Sequence, residues 1–282
     1  MSLATHQTFA SQNLSETSSA VSLLAVQPDL SFVASRQGQG LGIIDYDRLV
    51  RQFKAVQEQF AGFGMKMTIV SGLQVGDLEK CMIDDYIAVL NHDVNKDLAA
   101  LVAGQKVVRY LTADAKVSAR DCVKLGRKVF IGISSQTNYE GAAQLAFYLS
   151  EFGAEPAIID LNFSDHQHLD TVLCGCRENT ALVHEDYASN TAFKSVHKII
   201  VPEAEKGILN SLYVGNILFV PFGYSQTCDA LYQEKIGFQS FVSSEVEKIN
   251  LPLAQCVLNM HQTHQSKTFE TLQNTQHHKV AL

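Results

Sequence analysis

No stretch of the 282-residue sequence approaches the roughly 18 consecutive apolar residues of a membrane span. The N-terminus has no basic region followed by a continuous apolar segment, so no secretory leader is expected. Positive charge is in deficit. With 22 Lys and Arg against 29 Asp and Glu the formal net charge is -7, the wrong sign for a partner whose phosphates need a dense basic field. No Gly-x-Gly-x-x-Gly follows a first strand and no Gly-x-x-x-x-Gly-Lys-Ser/Thr occurs, so neither a dinucleotide nor a triphosphate site has support. The glycine-rich run Gly38-Gln39-Gly40-Leu41-Gly42 follows no clear strand and reads as a flexible loop. Paired zinc half-sites are missing too, because Cys174-Gly175-Cys176 has one intervening residue where two to four are usual. Neither a metal nor a cofactor is expected.

What remains describes a globular protein: 46% apolar, 18% charged and 9% aromatic residues, in a length that suits one large domain. The six cysteines, several inside apolar runs such as Cys81-Met82-Ile83, read as free buried thiols in a reducing cytoplasm. Residues 1–27 are rich in Ser, Thr, Gln and Asn without clear periodicity, which predicts a mobile arm. Residues 261–282 predict a polar tail, with metal capture by its histidines as the weaker reading. Between them, residues 28–260 form one domain in which short apolar strands alternate with amphipathic helices. Leu49, Phe53, Val56 and Phe60 mark one helix stripe, and Ala142, Leu145, Leu149 and Phe152 another. Strands are predicted near residues 65–70, 87–90, 128–133, 157–160, 181–184, 198–201, 217–221 and 238–242. Such alternation argues an α/β fold.

Three polar features could carry chemistry. In an extended segment residues two apart share a side, so His168 and Asp170 could present an imidazole and a carboxylate to one cavity. A solvated loop entering a strand is the plainer account of the same residues. Asp84 and Asp85 sit between the apolar Cys81-Met82-Ile83 and Tyr86-Ile87-Ala88-Val89-Leu90, where carboxylates are costly unless a cation or several hydrogen bonds compensate. A guanidinium ligand would suit them, and so would a strand end in water. Cys256 lies late in the chain beside Val257 and Leu258, a setting equally suited to inert core filling.

The order of these features resembles the pentein superfamily of guanidine-modifying enzymes, and within it dimethylarginine dimethylaminohydrolase and arginine deiminase. Ser118-Ala119-Arg120-Asp121 stands where that family has an acidic-Gly-Gly-Asp segment. A strand and the helix start Thr137-Asn138-Tyr139-Glu140-Gly141 follow it. His168-Leu169-Asp170-Thr171-Val172 is similar to the deiminase motif, and Ser244-Glu245-Val246-Glu247-Lys248-Ile249 resembles the segment leading to the catalytic cysteine. The likeness runs from about Asp45 to Met260 and implies a five-bladed α/β propeller of ββαβ pseudo-repeats with a small guanidino substrate in its central channel. It further implies Cys256 as nucleophile, His168 as general acid and base, and Asp85, Asp170 and Asp84 as guanidinium partners. Cleavage of a C–N bond would then pass through a covalent thiouronium intermediate, needing no metal, nucleic acid or membrane. A homodimer is compatible with it.

Departures from the pattern qualify the activity. The acidic residue that orients the histidine falls on Ser118, leaving Asp121 as the retained acid, and the two glycines become Ala119 and Arg120. Counted without a gap from Ser244, the cysteine position falls on Gln255; a loop one residue longer brings Cys256 there. The arginines that hold a substrate carboxylate fall near Asn91 and on Gln136. A cysteine hydrolase is therefore the first reading. A catalytically depleted pentein serving as a ligand-binding or interaction module is the second, and an amidinotransferase the third.

Overall fold

The computed structural model describes residues 21–36, 42–70, 73–84, 86–162, 167–248 and 252–260. The predicted arm up to residue 20, Gly38 to Leu41, Asp85 and the predicted tail from residue 261 lie outside the described residues.

The described chain forms five three-stranded sheets that repeat one order. In each, the middle strand pairs antiparallel with one neighbour and parallel with the other; in four of the five the antiparallel pair is a hairpin, and in all five a crossover connection returns the parallel strand, as in a βαβ unit. The chain opens with β1 (Ser22–Ala25), crosses through α1 (Leu30–Arg36) and α2 (Tyr46–Gly62), and returns as β2 (Lys66–Ile69). The antiparallel partner of β1 is the last strand, β15 (Val257–Asn259), so this sheet is completed by both ends of the fold. After α3 (Val75–Glu79), the second unit is β3 (Cys81–Ile83), β4 (Ile87–Leu90), α4 (Lys96–Ala103) and β5 (Val107–Tyr110). The third is β6 (Cys122–Leu125), β7 (Lys128–Gly132), α5 (Tyr139–Glu151) and β8 (Glu155–Ile159). Short 3₁₀ turns replace the helix in the fourth unit, β9 (Leu173–Arg177), β10 (Thr180–His184) and β11 (His197–Val201). The fifth is β12 (Leu212–Val214), β13 (Ile217–Pro221), α6 (Ser225–Gln233) and β14 (Phe238–Phe241), followed by α7 (Ser244–Lys248). This is the α/β propeller expected from the sequence.

Local chemistry explains the element boundaries that matter most. Asp45 caps α2 by accepting from the Arg48 N–H, and the buried stripe Leu49, Phe53, Val56 and Phe60 turns the helix onto the core. Phe60 meets Phe219 of β13 edge-on at 4.4 Å between ring centroids. Each such fully buried ring contributes roughly 1.5–3 kcal/mol. Asn138 caps α5 through the Gly141 N–H, and a Cβ on Gly141 would collide with the Lys116 carbonyl. Only glycine lets that helix start lie against the Lys116 backbone.

The core is divided among the gaps between neighbouring sheets. Met82, Ile87 and Val89 pack with Val129, Ile131 and Leu145 between the second and third units. Val123 and Phe130 pack with Leu173, Val183 and Phe193 between the third and fourth. Part of the predicted arm is structured: Ser22 to Ala25 form β1, with Leu23 and Ala25 buried, because both of their strand neighbours supply hydrogen bonds that composition alone does not reveal. No helix among the described residues is long and apolar enough to cross a membrane.

Candidate functional site

In every sheet the strand antiparallel to the middle one meets a shared cavity. Cys81 to Ile83, Cys122 to Lys124, Leu173 to Gly175, Leu212 to Val214 and Val257 to Asn259 line one cavity of about 1340 Å³. The inner strands approach closely there. A Cβ on Gly175 would stand 2.6 Å from the Lys124 carbonyl oxygen, so a side chain at this point of β9 would drive β6 away.

The buried end of the site is organised by Asp121, which has no exposed surface. Its Oδ2 accepts from the hydroxyls of Ser134 and Thr137, each at 2.6 Å. Its Oδ1 accepts from the Leu169 N–H at 3.2 Å and lies 3.1 Å from Nδ1 of the buried His168. An ionised carboxylate can only accept, so this contact places a proton on Nδ1. Asp121 is thus the acid in contact with the histidine. Ser118 is not in that position: its Oγ accepts from the Arg120 N–H, capping the 3₁₀ turn Ala119–Asp121, and its own N–H donates to Thr137 Oγ1. The expectation that Ser118 contacts the histidine is corrected accordingly, the backbone of the turn having claimed its hydroxyl.

Asp170 and Asp84 both line the cavity, and each holds a cation from the chain itself. Arg120 Nε donates to Asp170 Oδ2 at 3.0 Å and Nη2 donates to Oδ1 at 3.2 Å, a side-on bidentate pair. Lys124 is paired with Asp84. Asp85 lies outside the described residues.

His168 and Cys256 are not among the residues that line the cavity. Cys256 is fully buried, in the apolar cluster that also holds Val75, Leu78 and Leu253. Burial pushes its thiol well above the ordinary range, and the charge of Glu79 adds to the effect. Gln255 lines the cavity instead, its Nε2 donating to Asp170 Oδ2 at 3.1 Å. Consecutive residues of a 3₁₀ turn point about 120° apart, so the turn Leu253–Cys256 can present only one of the two inward. The amide finds Asp170 and the thiol finds the core, which corrects the expectation that Cys256 faces the cavity and agrees with the ungapped count.

The positions where a carboxylate-binding arginine was expected serve other ends. Asn91 Nδ2 donates to the Val117 carbonyl at 2.9 Å and its Oδ1 accepts from the Val117 N–H, holding the chain that leads into Ser118. Gln136 is exposed, and its N–H donates to Ser134 Oγ. Sequence reasoning did not foresee Arg120, Lys124 or Gln255 as side chains meeting the cavity carboxylates, nor Ser134 and Thr137 as the hydroxyls around Asp121. The one visible signal was Arg120 itself, a long cation where glycine is expected.

Among the described residues one group could hold a metal ion, His184, Asp186 and Glu203, in the fourth unit. His184 Nδ1 accepts from the Asp186 N–H at 3.3 Å, which leaves Nε2 to donate to Glu203 Oε2 at 2.8 Å. Lys206 pairs with the other Glu203 oxygen, and together these partners lower the Glu203 pKa. Both ring nitrogens are engaged by protein groups.

No protein family model matches the chain. A dimethylarginine dimethylaminohydrolase from Pseudomonas aeruginosa is 28% identical over 145 residues, 51% of this chain and 56% of that protein, so the match spans about half of the relative's length. A solved structure of the Pseudomonas aeruginosa enzyme complexed with citrulline superposes with a TM-score of 0.72 at 21% identity, covering 84% of this chain and 98% of that one. The N-terminal domain of ArgZ, an arginine dihydrolase from cyanobacteria, gives 0.71 at 16% identity, covering 86% and 98%. Both relatives are amidine hydrolases. Five sheets of one order around a common cavity, with these likenesses, give the chain the pentein propeller fold and its resemblance to dimethylarginine dimethylaminohydrolase and arginine deiminase.

Proposed function

We propose that this chain is a guanidino-compound protein on the scaffold of the guanidine-modifying hydrolases, whose central cavity binds its ligand without a covalent cysteine step. The observation that carries this reading is the Gln255 amide beside Asp170, with Cys256 buried in the core. An amide nitrogen has its lone pair delocalised into the carbonyl and is not a nucleophile toward a guanidinium carbon. A buried thiol with a raised pKa supplies little thiolate. Ligand choice follows from the cavity. Carboxylates at Asp84 and Asp170 favour a planar cation, while Asn91 and Gln136 offer no guanidinium fork to a ligand carboxylate. Small guanidines without a carboxylate, such as agmatine, suit it better than arginine or dimethylarginine.

Hydrolysis through Cys256 is the second reading. It is supported by the amidine hydrolases among the relatives and by the His168 and Asp121 pair, which would serve as acid and base. That chemistry would require the turn Leu253–Cys256 to rotate and exchange the thiol for the amide. Amidino transfer to an amine would share the same sulfur intermediate and the same requirement.

Incubation with arginine, agmatine, methylated arginines and a guanidinylated peptide separates these readings. Ureido product and released amine are assayed alongside thermal melts, for the wild type and C256A. Binding without turnover predicts ligand-induced stabilisation and no product above the C256A background. Product that depends on Cys256 would overturn it in favour of hydrolysis, and product that appears only with an acceptor amine would overturn it in favour of transfer.

A further inference from the structure

We propose that Arg120 is a tethered occupant of this protein's own guanidinium place, and that it sets which ligands the cavity accepts. The inference rests on the reading of the cavity as a guanidino site. Arg120 grips Asp170 through Nε and Nη2 at 3.0 and 3.2 Å, the side-on fork that a free guanidine would use on the same carboxylate. Gln255 takes a further lone pair of Oδ2, leaving that oxygen with two donors already in place. Both partners of the ion pair line the cavity and are only partly exposed, 17% for the Arg120 side chain and 26% for Asp170, so solvent competes weakly with the pair.

The tether is rigid at its base. The Arg120 N–H is held by Ser118 Oγ, and the next residue, Asp121, is fixed by four neighbours. A guanidinium delivered by such a turn forfeits little entropy on pairing. A ligand in solution must compete with a group whose effective concentration is on the order of millimolar or above. Its apparent affinity is reduced by the fraction of time that Asp170 is open, the relation that governs any site competent in only a minor state. Arg120 is therefore a specificity residue: it rejects simple guanidines whose only strong contact is one carboxylate. It admits ligands that gain enough elsewhere in the cavity to displace it.

Isothermal titration with methylguanidine and agmatine tests this on the folded chain, comparing wild type, R120A, R120Q and the double variant R120A/D170N. Ligand-free 15N NMR of the arginine Nε–H groups runs in parallel. The expected result is at least about tenfold tighter binding in R120A and R120Q than in wild type, loss of that gain in the double variant, and a slowly exchanging Nε–H in wild type that D170N abolishes. Two arginine variants are used so that a folding defect in one leaves the comparison intact. Equal affinity in wild type and both variants, with dependence on Asp170, would overturn cis occupancy and leave the guanidino site standing. A protected Nε–H with no guanidine bound by any form would overturn the guanidino reading of the cavity, and the ligand-selecting role with it.

Discussion

Asp121 Oδ1 lies 3.1 Å from His168 Nδ1, and that contact joins two 3₁₀ turns that are far apart in the chain. The turns are stitched twice, because Arg120 and Asp170, each beside or close to a member of the first pair, form the second link. One link is fully buried and the other faces the cavity. The buried one concerns the architecture of the site whatever its chemistry.

Removing it has a stability cost that can be measured. In D121A the hydroxyls of Ser134 and Thr137, the Leu169 N–H and His168 all lose their common, fully buried acceptor. The expected loss is about 2–4 kcal/mol, the range for stranding buried donors, and D121N should recover part of it because one oxygen survives. Urea melts monitored by far-UV dichroism check the order wild type, D121N, D121A. A D121A protein as stable as wild type would show that the network is dispensable.

Glu245 offers a second case, drawn from the segment that resembles the approach to the family's cysteine. It is completely buried, accepts from the Asp45 N–H at 3.0 Å and from Lys248 Nζ at 2.9 and 3.0 Å, and has Arg48 at 3.5 Å. The residue thus fastens the start of α2 to α7. E245A leaves a cap N–H without its acceptor and a partly buried ammonium with the Ile43 carbonyl but no counter-charge, which should cost about 2–4 kcal/mol. R48A removes only a half-exposed, longer contact and should cost under about 1 kcal/mol. Denaturant midpoints for the two variants decide whether burial or charge count governs this cluster.

How much of this was legible in the sequence depended on which side of a strand did the work. The middle strands β4, β7, β10 and β13 are nearly continuous buried runs, and all four were predicted within a residue or so. The first strands of the units were not delimited. They are short, and they meet the cavity with polar or small residues such as Lys124, Gly175 and Asn259, so no hydrophobic rhythm marks them. Motif reading named Asp121, His168, Asp170 and Asp84; the first two meet each other in the structure, and the other two line the cavity. What it could not give is orientation. Whether Gln255 or Cys256 turns inward depends on the phase of a single 3₁₀ turn, and whether Asp170 is open depends on where Arg120 reaches.

Strong acid should loosen the start of α1. Asp29 accepts from the Phe32 N–H at 2.7 Å, with Ser31 and Gln74 as further donors, and these bonds hold its pKa down at about 2 against 3.8 unperturbed. A lowered carboxylate stabilises the fold above its unfolded pKa, and that contribution disappears as pH falls from about 4 through about 2. The amide of Phe32 should therefore lose hydrogen-exchange protection over that interval. In D29A the protection should already be low at neutral pH and show no such step. A Phe32 amide whose protection ignores Asp29 at every pH would remove the cap from the account of α1.

Thiol reactivity reads the phase of the last turn directly. Burial pushes the thiols of Cys81 and Cys176 up to about 12 and that of Cys228 to about 11, and raises Cys256 as well. At pH 8 a thiol with a pKa near 11 is ionised in about one molecule in a thousand, so native protein should alkylate slowly. Cys228, which is only half-buried, should lead. Cys256 should react in the native state only on the timescale of unfolding, whereas denatured protein should take six labels. Replacing the inward residue, Q255C, puts a thiol on the cavity wall beside Asp170, where iodoacetamide can reach it. Peptide mapping should then find residue 255 labelled well ahead of Cys256, and agmatine at saturating concentration should slow that labelling if it occupies the cavity. Rapid labelling of Cys256 in the wild type, slowed by agmatine, would instead mean that the turn rotates and that the sulfur reaches the ligand.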